Sequence, residues 1–265
     1  MNERKQIIVP EWRKPVVAVP LTQAFPELNE VTEFKSKICL FNHNRTRVFD
    51  VVSDKYHVID HGQALDVMTD AVQNYFSDTD ITPNVRSLNG GARIVASFSL
   101  PIPSVVVKKG DITDITLSVR NSYDRSSPFI ATLGGLRLVC TNGMKAGTAF
   151  GSIKAKHVGS GDTEARDEEI FSELDRMVKG VPKLKELWKE WLDTKVTYDD
   201  AVELLAGKFP GKYLAPVLDA SRFPRSKWDL YNDLTRFATH DTKSIQRRMD
   251  FDDRIAALFY EAEAA

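Results

Sequence analysis

The densest run of side chains able to contact a ligand lies at residues 120–125, directly after an apolar stretch. It contains Arg120, Asn121, Tyr123, Asp124 and Arg125. Arginine binds phosphate, asparagine hydrogen-bonds to nucleic acid, and a tyrosine ring can stack on an unpaired base. The same residue types also fit an internal network, in which Arg120 or Arg137 pairs with Asp124 and holds a long loop. Residue types alone leave both interpretations open.

Further basic and amide residues extend this run along the chain. No predicted helix is basic enough to serve as a recognition helix in a DNA groove, so the pattern favours a single strand over a duplex. Annealing of strands needs no catalytic group, which agrees with the lack of a catalytic motif. We therefore predict contacts with single-stranded nucleic acid from Arg86, Arg93, Arg120, Asn121, Tyr123, Arg125, Arg137, Asn142, Lys145, Lys154 and Lys156.

The distribution of charge supports a basic surface. The 265-residue chain has a net charge of −1, but residues 81–160 carry +7 and residues 161–205 carry −6. Such asymmetry predicts one basic face and one acidic face. Local charge differences are also common in proteins that bind no nucleic acid, so the basic face can equally be a solvated surface.

Three aspartates suggest a second hypothesis, a metal-dependent enzyme acting on nucleic acid or nucleotides. Asp111, Asp114 and Asp124 could hold a divalent ion with a histidine, although turns beside strands have the same composition. His57 and His61 are four residues apart, but His57 lies in a predicted strand, so the two rings would not share a helical face. With no phosphate loop, nucleophile elbow or Cys-x-x-Cys pair, we expect no catalytic residue, metal or cofactor. A third hypothesis is a protein-binding accessory factor, such as an inhibitor of a host defence system.

The elements that must position these residues are mostly strands in the first part of the chain. A hairpin is predicted at 48–52 and 56–59, and a crossing helix at 62–77, where apolar residues recur every three or four positions. Alternating apolar and polar residues, separated by turn sequences, predict strands at 81–88, 92–100, 112–119, 128–133 and 136–140.

Helices dominate the rest of the chain. Apolar spacing predicts them at 168–178, 184–192, 198–205, 227–239 and 244–264. The first is expected to bury Ile170, Phe171, Leu174 and Val178, and Thr197 is expected to cap the third. The predicted fold is α+β: an antiparallel β-sheet with a crossing helix, followed by a helical C-terminal region.

We divide the chain into a proline-rich N-terminal arm at 1–35, a β-rich core domain at 36–160 and a helical region at 161–265 packed on that core. We expect the arm to lie on the body or on a neighbouring subunit, or else to form a partly ordered tail. Docking on a neighbour would make the protein a homo-oligomer, which we expect. Cys39 and Cys140 are predicted to be buried free thiols. No apolar stretch is long enough to span a bilayer, which predicts a cytoplasmic protein, without a membrane partner.

Several ordered motifs carry a resemblance to a known family. They are Tyr-His-Val-Ile at 56–59, Leu-Asn-Gly-Gly-Ala-Arg at 88–93, Gly-Asp at 110–111, Asn-Ser-Tyr-Asp at 121–124, Leu-Arg-Leu-Val-Cys-Thr-Asn at 136–142, and Asn232 and Thr235 followed by His240. In this order the chain resembles, over roughly residues 40–260, the phage/plasmid-like proteins catalogued as a domain of unknown function, number 932. The resemblance implies a phage, prophage or plasmid setting in a bacterial host cell and brings no established activity.

Overall fold

A small antiparallel sheet joins the proline-rich arm to the segment that follows it. A computed structural model describes residues 9–137, 142–145, 151–155 and 163–260. The sheet has the order β1-β2-β3, with β1 at Val17–Pro20, β2 at Lys37–Phe41 and β3 at Val48–Ser53. Cys39 and Leu40 are fully buried, and Cys39 is a free thiol as predicted, whereas Cys140 lies outside the described residues.

The partner of β3 differs from the predicted hairpin. Residues 48–52 form a strand, but they pair with β2, and residues 56–59 form no strand. The apolar side chains of β2 complete a buried layer, while residues 56–59 lead into the next helix. The turn predicted at 53–55 does form, with the N–H of Tyr56 donating to the Ser53 carbonyl at 3.0 Å, but the residues after it do not continue as a strand beside β3.

The crossing helix is confirmed. A short helix, α1 at Leu21–Ala24, precedes it, and α2 spans His61–Tyr75. The carboxylate of Asp60 accepts hydrogen bonds from the N–H groups of Gly62 and Gln63, which defines the start of α2. Its buried residues include Leu65, Met68 and Val72, at the three- and four-residue steps of one helical face.

The main sheet has seven strands and the order β10-β8-β7-β5-β4, with β6 paired to β7 and β9 paired to β8. The strands are β4 Asn84–Leu88, β5 Arg93–Ser99, β6 Val105–Lys108, β7 Asp111–Ser122, β8 Phe129–Arg137, β9 Asn142–Lys145 and β10 Ser152–Ala155. β8 runs through Gly134 and Gly135, where a break was predicted. These glycines stay in the strand because they pair with Lys145 and Met144 of β9.

Helices follow the sheet, so the α+β prediction is confirmed. They are α3 Thr163–Asp193, α4 Tyr198–Leu205, α5 Gly211–Leu214, α6 Lys227–Arg236 and α7 Ile245–Tyr260. A π-helical turn at Phe237–Asp241 follows α6, and β11 Lys195–Val196 pairs with β12 Arg225–Ser226. Thr197 caps α4 as predicted, because its hydroxyl accepts from the N–H of Asp200 and the Asp200 carboxylate accepts in return. Among the described helices, none is long and apolar enough to cross a membrane.

The long helix α3 replaces two predicted helices. Pro182 lies inside it and removes one backbone donor, which costs about 3 kcal/mol in a helix interior. A single buried stripe nevertheless continues past the proline, and burial of these large side chains outweighs that cost. The stripe consists of Ile170, Leu174, Met177, Val181, Leu184, Trp188 and Trp191. It does not include Phe171, which is 43% exposed, contrary to the prediction.

The chain forms two compact units that interleave along the sequence. The first falls within residues 1–98, 119–131 and 153–172, and the second within residues 99–118, 132–152 and 173–265. The division predicted from sequence, at 1–35, 36–160 and 161–265, consists of consecutive segments instead. Strands β7 and β8 and helix α3 each contribute residues to both units, so no boundary at a single position describes them.

Candidate nucleic-acid interface

Tyr123 is the centre of a buried polar cluster in the first unit. Its side chain is 1% exposed. The hydroxyl accepts a hydrogen bond from the N–H of His61 at 2.8 Å and donates to Asp60 Oδ2 at 3.3 Å. The rings of His61 and Phe49 stack with it at centroid distances of 3.8 and 5.7 Å. Burial raises the pKa of the Tyr123 phenol. The prediction that this ring stacks on a base is therefore wrong, because both neighbouring rings and the core cover it.

Asn121 belongs to the same cluster. It is 1% exposed, and its Nδ2 donates to the Ile59 carbonyl at 2.8 Å and lies 2.9 Å from Nδ1 of His61. Since Asn121 offers a donor there, Nδ1 of His61 is the acceptor, and Nε2–H donates to the Gly91 carbonyl at 3.2 Å. Contact between Asn121 and a base is excluded by this burial. The residue instead ties β7 to the start of α2.

Asp124 forms the central ion pair of the loop after β7. Its Oδ2 binds Nε of Arg93 at 2.6 Å and Nδ2 of Asn89 at 3.3 Å, and its Oδ1 accepts from the N–H of Ser126 at 3.2 Å. Burial raises the pKa of this carboxyl, but the hydrogen bonds from Ser126 and Arg93 outweigh it, so the pKa lies below its usual value. An internal network was one of the two interpretations of this run. The structure pairs Asp124 with Arg93, whereas the side chain of Arg137 lies outside what the structure describes.

Two further arginines are held by neighbouring chain segments. Arg125 has a backbone φ of 56° and binds Asp50 of β3 through Nε and through NH2, the latter at 2.9 Å. Arg47, at the end of the loop between β2 and β3, donates to Oδ1 of Asn89 at 2.5 Å. Asn89 therefore joins Arg47 to Asp124. Beside this network, burial and then the charge of Asp50 raise the pKa of Tyr56 to about 12.

The sheet adds two more arginines to the same unit. Arg86 of β4 lies opposite Val95 of β5 and is exposed. The N–H of Tyr123 donates to the Ala92 carbonyl at 2.8 Å, and counting back along the antiparallel strands from this bond places Arg120 opposite Val95 as well. Residues opposite one another share a sheet face. Arg86 and Arg120 therefore lie on the face that also carries Arg93, two residues before Val95.

We call these residues, together with the loop between β2 and β3, the arginine surface. Its members are Arg45, Arg47, Arg86, Arg93, Arg120 and Arg125. The first three and Arg125 are exposed, while Arg93 and Arg120 are half-buried. Arg45 and Arg47 were not among the contact residues predicted from sequence. The signal that could have found them is the polar, basic loop Asn-His-Asn-Arg-Thr-Arg at 42–47.

The remaining predicted residues are less fully described. Lys154 of β10 is exposed in the first unit. The backbones of Arg137, Asn142 and Lys145 lie in β8 and β9, and nothing is described of their side chains. Lys156 lies outside the described residues. The contacts predicted for these five residues stay predictions.

The aspartates of the metal hypothesis have other partners. In the second unit, Asp111 is 2% exposed and accepts from Nε1 of Trp228 at 2.8 Å. Asp114 accepts from the Ser104 hydroxyl at 2.6 Å. Asp124 belongs to the first unit and pairs with Arg93. Within residues 9–137, 142–145, 151–155 and 163–260, no group of three His, Cys, Asp or Glu could hold a metal ion.

These elements define an α+β protein of antiparallel sheets whose first unit presents an arginine-rich surface. A family model matches residues 48–258, and the chain belongs to that family, described as Domain of unknown function (DUF932). The match includes β3 and the loop after β7, which hold Asp50 and Asp124. No curated protein and no solved structure matches the chain.

Proposed function

We propose that the chain binds single-stranded nucleic acid by contacting phosphates with the arginine surface. The observation that supports this best is the arrangement of Arg47, Arg93 and Arg125, which come from three separate chain segments and are each held in place by a hydrogen bond or ion pair. A positioned guanidinium binds a phosphate at a lower entropic cost than a mobile one. The two carboxylates that the structure pairs with this surface, Asp50 and Asp124, each bind one arginine, Arg125 and Arg93.

The buried cluster around Tyr123 supports this proposal indirectly. Tyr123 and Asn121 fix the start of α2 against β7 and thereby fix the loop that carries Asp124 and Arg125. With the tyrosine covered, the contacts are to phosphates and carry no sequence information. The protein would then bind a single strand of any sequence. More specifically, we propose that it anneals strands in phage or plasmid recombination.

The test is a titration of a labelled single-stranded oligonucleotide at several salt concentrations. Binding should weaken with salt, with a log–log slope near −0.7 for each phosphate neutralised. Arg86→Ala and Arg47→Ala should each reduce the size of that slope by about 0.7. Lys189→Ala is the matched control, because Lys189 is an exposed cation on α3 in the second unit.

Three results would contradict the proposal. The first is a wild-type protein that binds no oligonucleotide at low salt. The second is binding that does not change with salt. The third is a salt slope for both arginine variants that equals the slope for Lys189→Ala. A circular dichroism spectrum of each variant should equal that of the wild type, since both arginines are exposed and their loss leaves no buried carboxylate unpaired.

A further inference from the structure

Tyr213 of α5 lies against α7, in the second unit. Its hydroxyl accepts a hydrogen bond from NH1 of Arg247 at 3.0 Å, and its ring centroid lies 5.4 Å from that of Phe251. Two turns after Arg247, on the same side of α7, NH1 of Arg254 donates to the Lys208 carbonyl at 2.9 Å. The segment 208–213 is therefore fixed to α7 at both of its ends.

Two cations from separate segments flank the Tyr213 hydroxyl. One is Arg247 of α7, and the other is Lys212, whose Nζ lies 4.8 Å from the centroid of the Tyr213 ring. Burial raises the pKa of the Tyr213 phenol, but hydrogen bonds from Lys212 and Arg247, together with their charges, outweigh it, so the pKa lies below its usual value of 10. The phenol oxygen thus lies in a positive potential.

The surroundings of Tyr213 contain more bases than acids. Residues 204–218 include two lysines and neither aspartate nor glutamate. Lys212, Arg247 and Arg254 are exposed, and within residues 9–137, 142–145, 151–155 and 163–260 no carboxylate forms an ion pair with them. Asp250 is the acidic neighbour on this side of α7. Its single charge leaves three cations in excess, so the surface attracts an anion.

We propose that Lys212, Tyr213 and Arg247 bind a phosphate group. Arg247 uses one N–H on the tyrosine and keeps further donors in a planar fork that matches phosphate oxygens. Lys212 offers three donors, and the Tyr213 hydroxyl, which accepts from Arg247, can still donate its own proton. Arg247 also lies in the first turn of α7, where the helix dipole favours a negative group.

The ring of Tyr213 limits what this site recognises. It packs against Phe251 and also against Phe237, whose ring centroid lies 5.0 Å away. The hydroxyl is therefore the part of the tyrosine that meets a ligand, and the site binds a phosphate without stacking on a base. The site goes beyond the proposed function, because the arginine surface belongs to the first unit.

The test is carbon NMR of the full-length protein labelled with ¹³C at the Cζ atom of tyrosine and titrated with inorganic phosphate at constant ionic strength. Tyr213→Phe identifies the Tyr213 signal by its disappearance. We expect this signal to shift until the site is saturated. Lys212→Gln and Arg247→Gln should each weaken phosphate binding at least about tenfold, because each removes a charged hydrogen-bond donor. Both side chains are exposed, so the signals of the other tyrosines should stay unchanged.

Lys189→Ala is the matched control, at an exposed cation on α3 in the second unit, and should bind phosphate like the wild type. Three results overturn the proposal. They are a Tyr213 signal that phosphate does not move, a shift that added chloride reproduces, and a phosphate affinity for Lys212→Gln that equals that of the control.

A second titration, with a single-stranded oligonucleotide, distinguishes the source of the phosphate. A shift of the Tyr213 signal that Lys212→Gln weakens assigns the phosphate to a nucleic-acid strand. A signal that responds to inorganic phosphate alone assigns it to a free phosphate. Arg47→Ala and Arg86→Ala leave Lys212, Tyr213 and Arg247 intact, so the phosphate site and the proposed function can fail independently.

Discussion

The two units bury their aromatic side chains in different ways. In the first, Tyr123 lies among hydrogen-bonding and charged groups, between His61, Asp60 and the loop of Asp124. In the second, tryptophans and tyrosines of α3, α6 and α7 pack mainly on one another. There, Nε1 of Trp188 donates to the Tyr260 hydroxyl at 2.9 Å, and that hydroxyl donates to Tyr231 at 3.2 Å.

This difference shows which forces hold each unit. The aromatic cluster of the second unit is stabilised mainly by buried apolar area, together with a few hydrogen bonds from its tryptophan and tyrosine side chains. The cluster of the first unit is stabilised by matched donors and acceptors, so it depends on each partner and on the charge of Asp124. A polar cluster of this kind positions the arginine surface more strictly, because hydrogen bonds are directional.

The largest expected effect is in the second unit. Trp188→Ala should lower the free energy of unfolding by about 3–5 kcal/mol, because it leaves a cavity in place of a fully buried ring. Trp188→Phe keeps most of the ring and should cost less. The measurement is chemical denaturation, with Trp12→Ala as the control at a half-buried tryptophan. An unchanged stability for Trp188→Ala would contradict the role of the aromatic cluster.

The next effect is at the ion pair of the first unit. Asp124→Asn should cost about 2–3 kcal/mol at neutral pH, because it removes hydrogen bonds between charged groups. The pKa of Asp124 is lower in the folded protein than its usual value of 3.8, so its contribution is present above that value and is lost as the pH falls through the folded pKa. The difference between wild type and variant should therefore shrink in acid.

Denaturation curves at several pH values measure this difference. Asp70→Asn is the matched control at an exposed aspartate and should stay within about 0.5 kcal/mol of the wild type. A difference for Asp124→Asn that is constant from neutral to acidic pH would show that the ion pair does not distinguish the first unit from the second.

The smallest expected effect comes from removing a single oxygen atom, the Tyr123 hydroxyl, from the cluster of the first unit. Tyr123→Phe keeps the ring between His61 and Phe49 but removes the hydroxyl, and should cost about 1–2 kcal/mol because the N–H of His61 loses its acceptor. Tyr198→Phe, at a tyrosine that is 38% exposed, should be neutral. Oligonucleotide binding should not change, since the Tyr123 ring is covered. If Tyr123→Phe reduced oligonucleotide binding without reducing stability, the Tyr123 hydroxyl would contact the nucleic acid directly and would not act only by supporting the fold.

Local patterns predicted most elements of the fold. The apolar spacing of α2 and the alternation of Ile94, Ala96 and Phe98 in β5 correspond to the faces that are buried. The capping sequence at Thr197 located the start of α4. The predicted breaks at Pro182 and at Gly134–Gly135 were wrong. In both places a continuous buried stripe or a neighbouring strand overrides a local preference worth a few kcal/mol.

The site was predicted less completely. Arg93, Arg120 and Arg125 were identified by residue type, but no sequence pattern distinguishes Arg93 from Arg120 as the partner of Asp124. Arg47 and Asn89 are 42 residues apart in the chain, so their hydrogen bond depends on tertiary packing that no local sequence pattern shows. Sequence also made Tyr123 look available, since an aromatic residue in a polar loop has the same composition whether it is covered or exposed.

By itself, the sequence determined the class of elements, the uneven distribution of charge and the residues able to contact phosphate. These properties depend on composition and on spacing within a few residues. The tertiary structure alone decided that Tyr123 and Asn121 are buried, that Asp50 and Asp124 hold Arg125 and Arg93, and that Phe171 is left exposed. Such outcomes depend on contacts between residues far apart in the chain, where the burial of one side chain is settled by what packs against it.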